Sequence, residues 1–229
     1  MQQGIMQRPA VPERSPKRRF HPGTLRKAAI GALVALAAVC TGYVLQTQVL
    51  DVKSAKDMRD SGIYAQWTKG EVMVLIRHAE RCDRSHGACL GDPTGITVAG
   101  SQVAANVGKG IARLGLENAE LLSSPEVRTR QTARSIFGKP IATQDWLNQC
   151  DKGFSDAALG HKSAGRNLVL ITHSGCIDQL ERHLGVAGGE RSSAYASALF
   201  VSVTNKGNAR ILGQMNASAW NQLVSSAGL

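Results

Sequence analysis

Val72-Met73-Val74-Leu75-Ile76 is an unbroken apolar run, the pattern of a strand buried on both faces. Leu168-Val169-Leu170-Ile171 repeats it, and Glu120-Leu121-Leu122 predicts a shorter strand that ends at Ser123-Ser124. A further strand falls near 140–143. Between these runs the period changes from strand to helix. Val103, Val107, Ile111 and Leu114 form one helical stripe over 98–114, with Gly115 as its stop. Ser124 followed by Pro125 reads as an N-cap with proline at the first helical position, which opens a helix over 125–137. A weak helix is expected near 155–163, and a firmer one over Gly175 to Leu184, stopped by Gly185. Leu199-Phe200-Val201 and Ala209-Arg210-Ile211-Leu212 flank Asn205-Lys206-Gly207, the pattern of a hairpin. Strands alternating with helices predict a three-layer α/β/α sandwich with a mostly parallel sheet over residues 71–229.

Ahead of that domain lies a different pattern. Ala28 to Leu45 is uncharged and nearly all apolar. As a helix it is about 27 Å long, close to the hydrocarbon thickness of a bilayer. It predicts a transmembrane signal-anchor, or a signal peptide cleaved near Ala35-Leu36-Ala37. Residues 1–27 form a basic cytoplasmic segment and residues 46–70 a polar linker, so the domain is expected in the periplasm, anchored in the inner membrane or released from it. The charge divides accordingly. The chain carries +10, and Arg8, Arg14, Lys17, Arg18, Arg19, Arg26 and Lys27 against Glu13 place +6 of it in the first segment. The basicity belongs mainly to the membrane-flanking segment, so no nucleic-acid partner is implied. In an oxidising compartment Cys82, Cys89, Cys150 and Cys176 read as two disulfides with three possible connectivities. The Cys82–Cys89 loop is short enough to close locally, and the other pair then follows by elimination.

Three predicted strands run into residues that carry chemistry. The first ends in Arg77-His78-Ala79-Glu80-Arg81, the second in Ser123-Ser124 with Arg128 a turn further on, the third in Thr172-His173-Ser174-Gly175. Ligands of such sheets gather at the carboxyl ends of the strands. Two histidines among arginines suit a phosphate monoester, because guanidinium forks match phosphate oxygens and nearby positive charge keeps an imidazole neutral and nucleophilic. His78 is the expected nucleophile, with Arg77, Arg128 and His173 holding the phosphate and no metal or cofactor expected. Arg81 and Arg84 are candidate substrate contacts. His78, Cys82, His86 and Cys89 have spacings a zinc site could use, but an oxidising compartment favours disulfides.

Arg77-His78-Ala79-Glu80, Thr94-Gly95-Ile96-Thr97 with Gly100 and Gln102, Ser124 to Arg128 with Thr132-Ala133, and His173 together resemble the histidine phosphatase (phosphoglycerate mutase-like) superfamily over about residues 71–185. The resemblance implies a phosphohistidine at His78 and a phosphate pocket of Arg77, Arg128 and His173. A narrower resemblance, through Arg81-Cys82-Asp83-Arg84-Ser85, Cys89-Leu90, Leu147-Asn148-Gln149-Cys150 and Cys176, points to an exported bacterial branch that acts on phosphorylated heptose of the lipopolysaccharide core. That implies a phosphorylated sugar or glycolipid as substrate. A binding module for a phosphorylated envelope component and a phosphomutase are the alternatives. One departure stands out. Where many relatives place a glutamate acid this chain has Gln149, and where others place an aspartate it has Ser174. Glu80, then Asp83 and Asp151, are the nearest substitutes for the missing proton donor. Only 18 residues separate Asn148 from Asn167, so the mouth of the site is expected to be open, with Arg81 and Arg84 at its rim.

Overall fold

Val72–Arg77 is the inner strand β1 of a six-stranded sheet, paired along its length on both sides. In this computed structural model the described residues are 27, 30–36 and 47–225. The chain divides into two units, residues 1–45 and 46–229. In the first, residues 30–36 are helical, with Ile30, Leu33, Val34 and Leu36 exposed. Most of the expected membrane span at 28–45 lies outside the described residues, among which no helix is long and apolar enough to cross a membrane.

The second unit begins with helices α1 (Ala55–Asp60) and α2 (Ile63–Thr68), followed by β1. Then come α3 (Val98–Ile111), β2 (Ala119–Ser123), α4 (Val127–Phe137), β3 (Ala142–Thr143), α5 (Phe154–His161), β4 (Asn167–Thr172) and α6 (Ser174–His183). The hairpin of β5 (Ala198–Val203) and β6 (Ala209–Met215) leads to α7 (Ala217–Ser225). The sheet order is β3-β2-β4-β1-β5-β6, with β5 alone reversed in direction. The period of two in β1 explains the layers. Val72, Val74 and Ile76 join one core with α1, α2, α3, α4 and α7, while Met73 and Leu75 join another with α5 and α6. The expected three-layer architecture is therefore observed, and the sheet is mixed only through β5.

Several local expectations need correction. Residues 46–70 are not a linker. Val52, Met58 and Ile63 are fully buried, and Trp67 nearly so. Asn167 clamps α2 to the sheet, its Nδ2 donating to the Trp67 carbonyl at 2.9 Å and its Oδ1 accepting from the Val72 amide at 3.1 Å. Residues 50–52 also exchange backbone bonds with Gln214, which covers the edge strand β6. The expected stripe on α3 holds at Val107 and Ile111, which are fully buried, but not at Val103, which is 40% exposed. Gly100, Ala104 and Gly108 complete the inward face in its place, because this helix docks through small residues. A Cβ on Gly108 would lie 2.1 Å from the Ile136 carbonyl oxygen, and one on Gly110 would lie 2.4 Å from the Trp220 ring. Gly108 and Gly110 thus make close contacts between helices, while Lys109 between them is exposed. Helix α7 was not expected at all. Its Trp220 is fully buried, 6.0 Å from the Phe200 ring.

Gly108→Ala should lower unfolding free energy by about 1–3 kcal/mol, as overpacking against a fixed carbonyl does. Gly160→Ala in α5, where a Cβ meets nothing within 4 Å, should be neutral or stabilising. Chemical denaturation of both variants measures the contrast.

Candidate active site

Three adjacent parallel strands deliver the site. Arg77 of β1 is in register with Thr172 of β4, and Ser123 of β2 with Ile171. The next residue of each strand is therefore brought to the same edge: His78, Ser124 and His173. The His78 amide donates to the Thr172 carbonyl at 2.9 Å, and the Ser124 amide to the Ile171 carbonyl at 2.9 Å. The two imidazole centroids are 5.4 Å apart.

The hydrogen bonds assign the protons. His78 Nδ1 lies 2.8 Å from the Ala79 carbonyl oxygen, which can only accept. Nδ1 therefore carries the proton and Nε2 keeps a free lone pair. His173 is the opposite tautomer. Its Nδ1 faces Arg128 Nη2 at 3.4 Å, a group that can only donate, so its Nε2–H donates to Ser124 Oγ at 2.9 Å. Ser124 Oγ therefore serves mainly His173, and its bond in the cap direction, from the Glu126 amide, is long at 3.5 Å. α4 begins two residues later than expected, with Glu126 in the cap position and no side-chain cap bond.

Both rings are held neutral. Burial, foremost, pushes His78 down to about 3, helped by His173, Arg128 and Arg77 and opposed by the Ala79 carbonyl. Burial and then Arg128 push His173 down to about 4, with Glu126 opposing. Arg77 stacks its guanidinium 4.0 Å from the Tyr195 ring centre and donates Nη1 to the Ser193 carbonyl at 2.6 Å. Its Nε, like that of Arg128, is buried without a partner. Burial also lowers the Arg77 pKa. The site can therefore offer an anion two guanidiniums, and an electrophile one bare imidazole nitrogen.

The other expected residues fall in different places. Arg81 is paired with Asp83, and that contact is the main reason the Asp83 carboxyl is held down. Arg84 is exposed, and its charge reaches Arg77 and Asp83. Glu80 is turned away, since its Oε2 accepts from Thr97 Oγ1, the cap of α3, at 2.8 Å. Asp151 accepts from the amide of Gly153 in its own turn at 2.8 Å. The carboxylate at the pocket is Glu126, which the sequence reading passed over. It takes Arg128 Nη1 on Oε2 and Asn148 Nδ2 on Oε1, each at 3.0 Å. Its position between Ser124 and Arg128 was the available signal. Both disulfides have the expected partners, Cys82 with Cys89 and Cys150 with Cys176. The second ties the loop after Asn148 to the first turn of α6, directly behind His173.

No protein-family model matches the chain. A lipopolysaccharide core heptose(II)-phosphate phosphatase of Salmonella paratyphi B is 33% identical over 178 residues, 76% of this chain and 85% of that protein. Its counterpart in Salmonella typhi is 35% identical over 156 residues, 67% of this chain and 75% of that protein. Among solved structures, the protein histidine phosphatase SixA complexed with tungstate aligns at a TM-score of 0.52 and 17% identity, over 64% of this chain and 97% of that one. A phosphoserine phosphatase of Entamoeba histolytica in complex with 3-phosphoglyceric acid aligns at 0.51 and 14%, over 65% and 98%. The relatives place the chain among the phosphatases, which are phosphoric monoester hydrolases, and the solved structures show that its fold is that of the histidine phosphatases. The chain belongs to the same family as these Salmonella phosphatases.

Histidine titration followed by NMR should show His78 and His173 neutral through pH 5. The folded pKa values lie below the unfolded value of 6.5, so between about 6.5 and 4 the unfolded chain takes up protons that the folded chain refuses. Stability should therefore be full above that window and fall as pH falls through it. His78→Gln should lose less stability over the same range.

Proposed function

We propose that this chain is an exported phosphatase that removes phosphate from heptose in the lipopolysaccharide core, or from a related envelope glycolipid, through a phosphohistidine at His78. The observation that carries this reading is the bare Nε2 of a neutral, buried His78 beside His173, Arg77 and Arg128. The name borne by the Salmonella relatives supports the substrate class. The apolar run 28–45 behind a basic segment supports a membrane anchor and a periplasmic domain. The exposed apolar side chains at 30–36 agree with that anchor.

In the first step the Nε2 lone pair attacks phosphorus in line, and the phosphorus–oxygen bond to the sugar breaks. Arg77 and Arg128 offset charge on the equatorial oxygens, and His173 offers a further contact. The leaving oxygen takes a proton from Glu126, the carboxyl best situated for it. In the second step water opens the phosphohistidine. Its proton returns to Glu126, inorganic phosphate leaves, and Nε2 is restored.

His78→Ala should abolish phosphate release without loss of fold, and wild type quenched in alkaline detergent should yield protein-bound phosphate that is base-stable and acid-labile. Core lipopolysaccharide from cells lacking the protein should keep a phosphate that mass spectrometry finds removed in its presence. Glu126→Gln should cost about a hundredfold or more on a sugar phosphate, and far less on nitrophenyl phosphate, whose leaving group needs little protonation. Equal losses on both would exclude Glu126 as the proton donor.

A further inference from the structure

Behind the phosphate pocket, on the α6 side, lies a second cavity of about 280 Å³ lined by Ser174, Asp178, Glu181, Arg191, Ser192 and Ser193. It adjoins the first directly. Ser174 follows His173 in the chain, and the Ser193 carbonyl takes the Arg77 guanidinium at 2.6 Å. At its buried end is Glu181, only 1% exposed, with both carboxyl oxygens lacking a hydrogen-bond partner. A buried carboxyl without partners is costly whether charged or neutral, more so if charged. Replacing it with an apolar group of similar size is usually neutral or stabilising. Both Glu181 oxygens are thus open to a partner beyond the protein's own groups.

Resting on the phosphatase reading above, we propose that this cavity is a subsite for a neutral, polyhydroxyl sugar ring attached to, or next to, the phosphorylated one. The lining excludes other chemistries. A metal ion is disfavoured because Asp178 is already neutralised by Arg191 at 2.9 Å and Arg182 at 3.0 Å, and a guanidinium faces the same space. An anion is disfavoured by the two carboxyls. Burial, together with Asp178, pushes Glu181 up to about 7, with Arg191 opposing. Near neutrality it can thus donate to or accept from a hydroxyl. Three serine hydroxyls and one guanidinium complete a mixed set of donors and acceptors, as a sugar diol presents in return. The volume equals roughly nine waters, enough for one ring. A sugar phosphate would then be held by two neighbouring chambers that share the Ser174 and Ser193 backbone.

Glu181→Leu is the test, compared with wild type on phosphorylated lipopolysaccharide core oligosaccharide and on phenyl phosphate. Its melting temperature should be unchanged or higher. The ratio of kcat/KM on oligosaccharide to kcat/KM on phenyl phosphate should fall at least tenfold, mainly through KM. Dephosphorylated core oligosaccharide should inhibit wild type competitively, and at least tenfold more weakly in the variant. An unchanged ratio, with turnover of oligosaccharide intact in wild type, would overturn the subsite and leave the phosphatase standing. A wild type that cleaves phenyl phosphate yet neither cleaves nor binds oligosaccharide would overturn the subsite and the envelope substrate together. A wild type inactive on both would sink the phosphatase reading, and binding of the dephosphorylated oligosaccharide would still decide the subsite.

Discussion

The register of β2, β4 and β1 governs the rest of the molecule. These strands are parallel neighbours, and Ser123, Ile171–Thr172 and Arg77 end them at one level. Hydrogen-bonded strands lie about 4.8 Å apart, so the residues that follow them meet without help from a flexible loop. A slip by one residue would turn His78 or His173 toward the other face of the sheet. The two cores hold the register. Alternate residues of β1 are locked into opposite layers, and Asn167 pins the far end of β4 to α2. Segments remote from the site, such as residues 47–70 and α7, therefore contribute to its precision through packing.

The same edge imposes an electrostatic condition. Two imidazoles and two arginines are gathered in a largely dry pocket, which is tenable only while the imidazoles are neutral. The Ala79 carbonyl and Ser124 hydroxyl then do more than fill hydrogen bonds. They select opposite tautomers, leaving His78 Nε2 bare while His173 Nε2 holds its proton. On the mechanism proposed above, burial thus serves reactivity, since a cationic His78 could not attack phosphorus. The cost falls on acid stability.

Legibility in the sequence followed the strength of the local pattern. Apolar runs such as Val72–Ile76 and Leu168–Ile171 are buried on both faces and have no other reading, and the residues after them name the site. The α3 face was misread at Val103 because helix docking there depends on what is missing. Gly100 and Gly108 bury backbone against backbone, while the larger Val103 stays exposed. Residues 217–225 and 47–70 mix small and polar residues around a few buried anchors such as Trp220 and Trp67, so no periodic stripe announces them. Ser124 was misassigned because Ser-Pro has a strong local meaning as a cap. The tertiary partner 49 residues away outweighed it.

The departure at Gln149 acquires a different meaning in three dimensions. The stretch Leu147-Asn148-Gln149-Cys150, where the family resemblance predicts a glutamate acid, sits against the site, but its contacts are those of a scaffold. The Leu147 carbonyl accepts from Thr172 Oγ1 at 2.8 Å, directly before His173. Cys150 is tied to Cys176 in the first turn of α6, and a Cβ on Gly175 would lie 3.3 Å from the Cys150 Cβ, a tight approach that favours glycine there. Asn148 donates to Glu126, which arrives from the segment that also carries Ser124 and Arg128. A carboxylate shared by one amide and one guanidinium has little rotational freedom, so its aim is set before any substrate arrives. On the proposal that Glu126 is the proton donor, this loop holds that carboxylate in position through Asn148, and Gln149 leaves the pocket with the one carboxylate it needs.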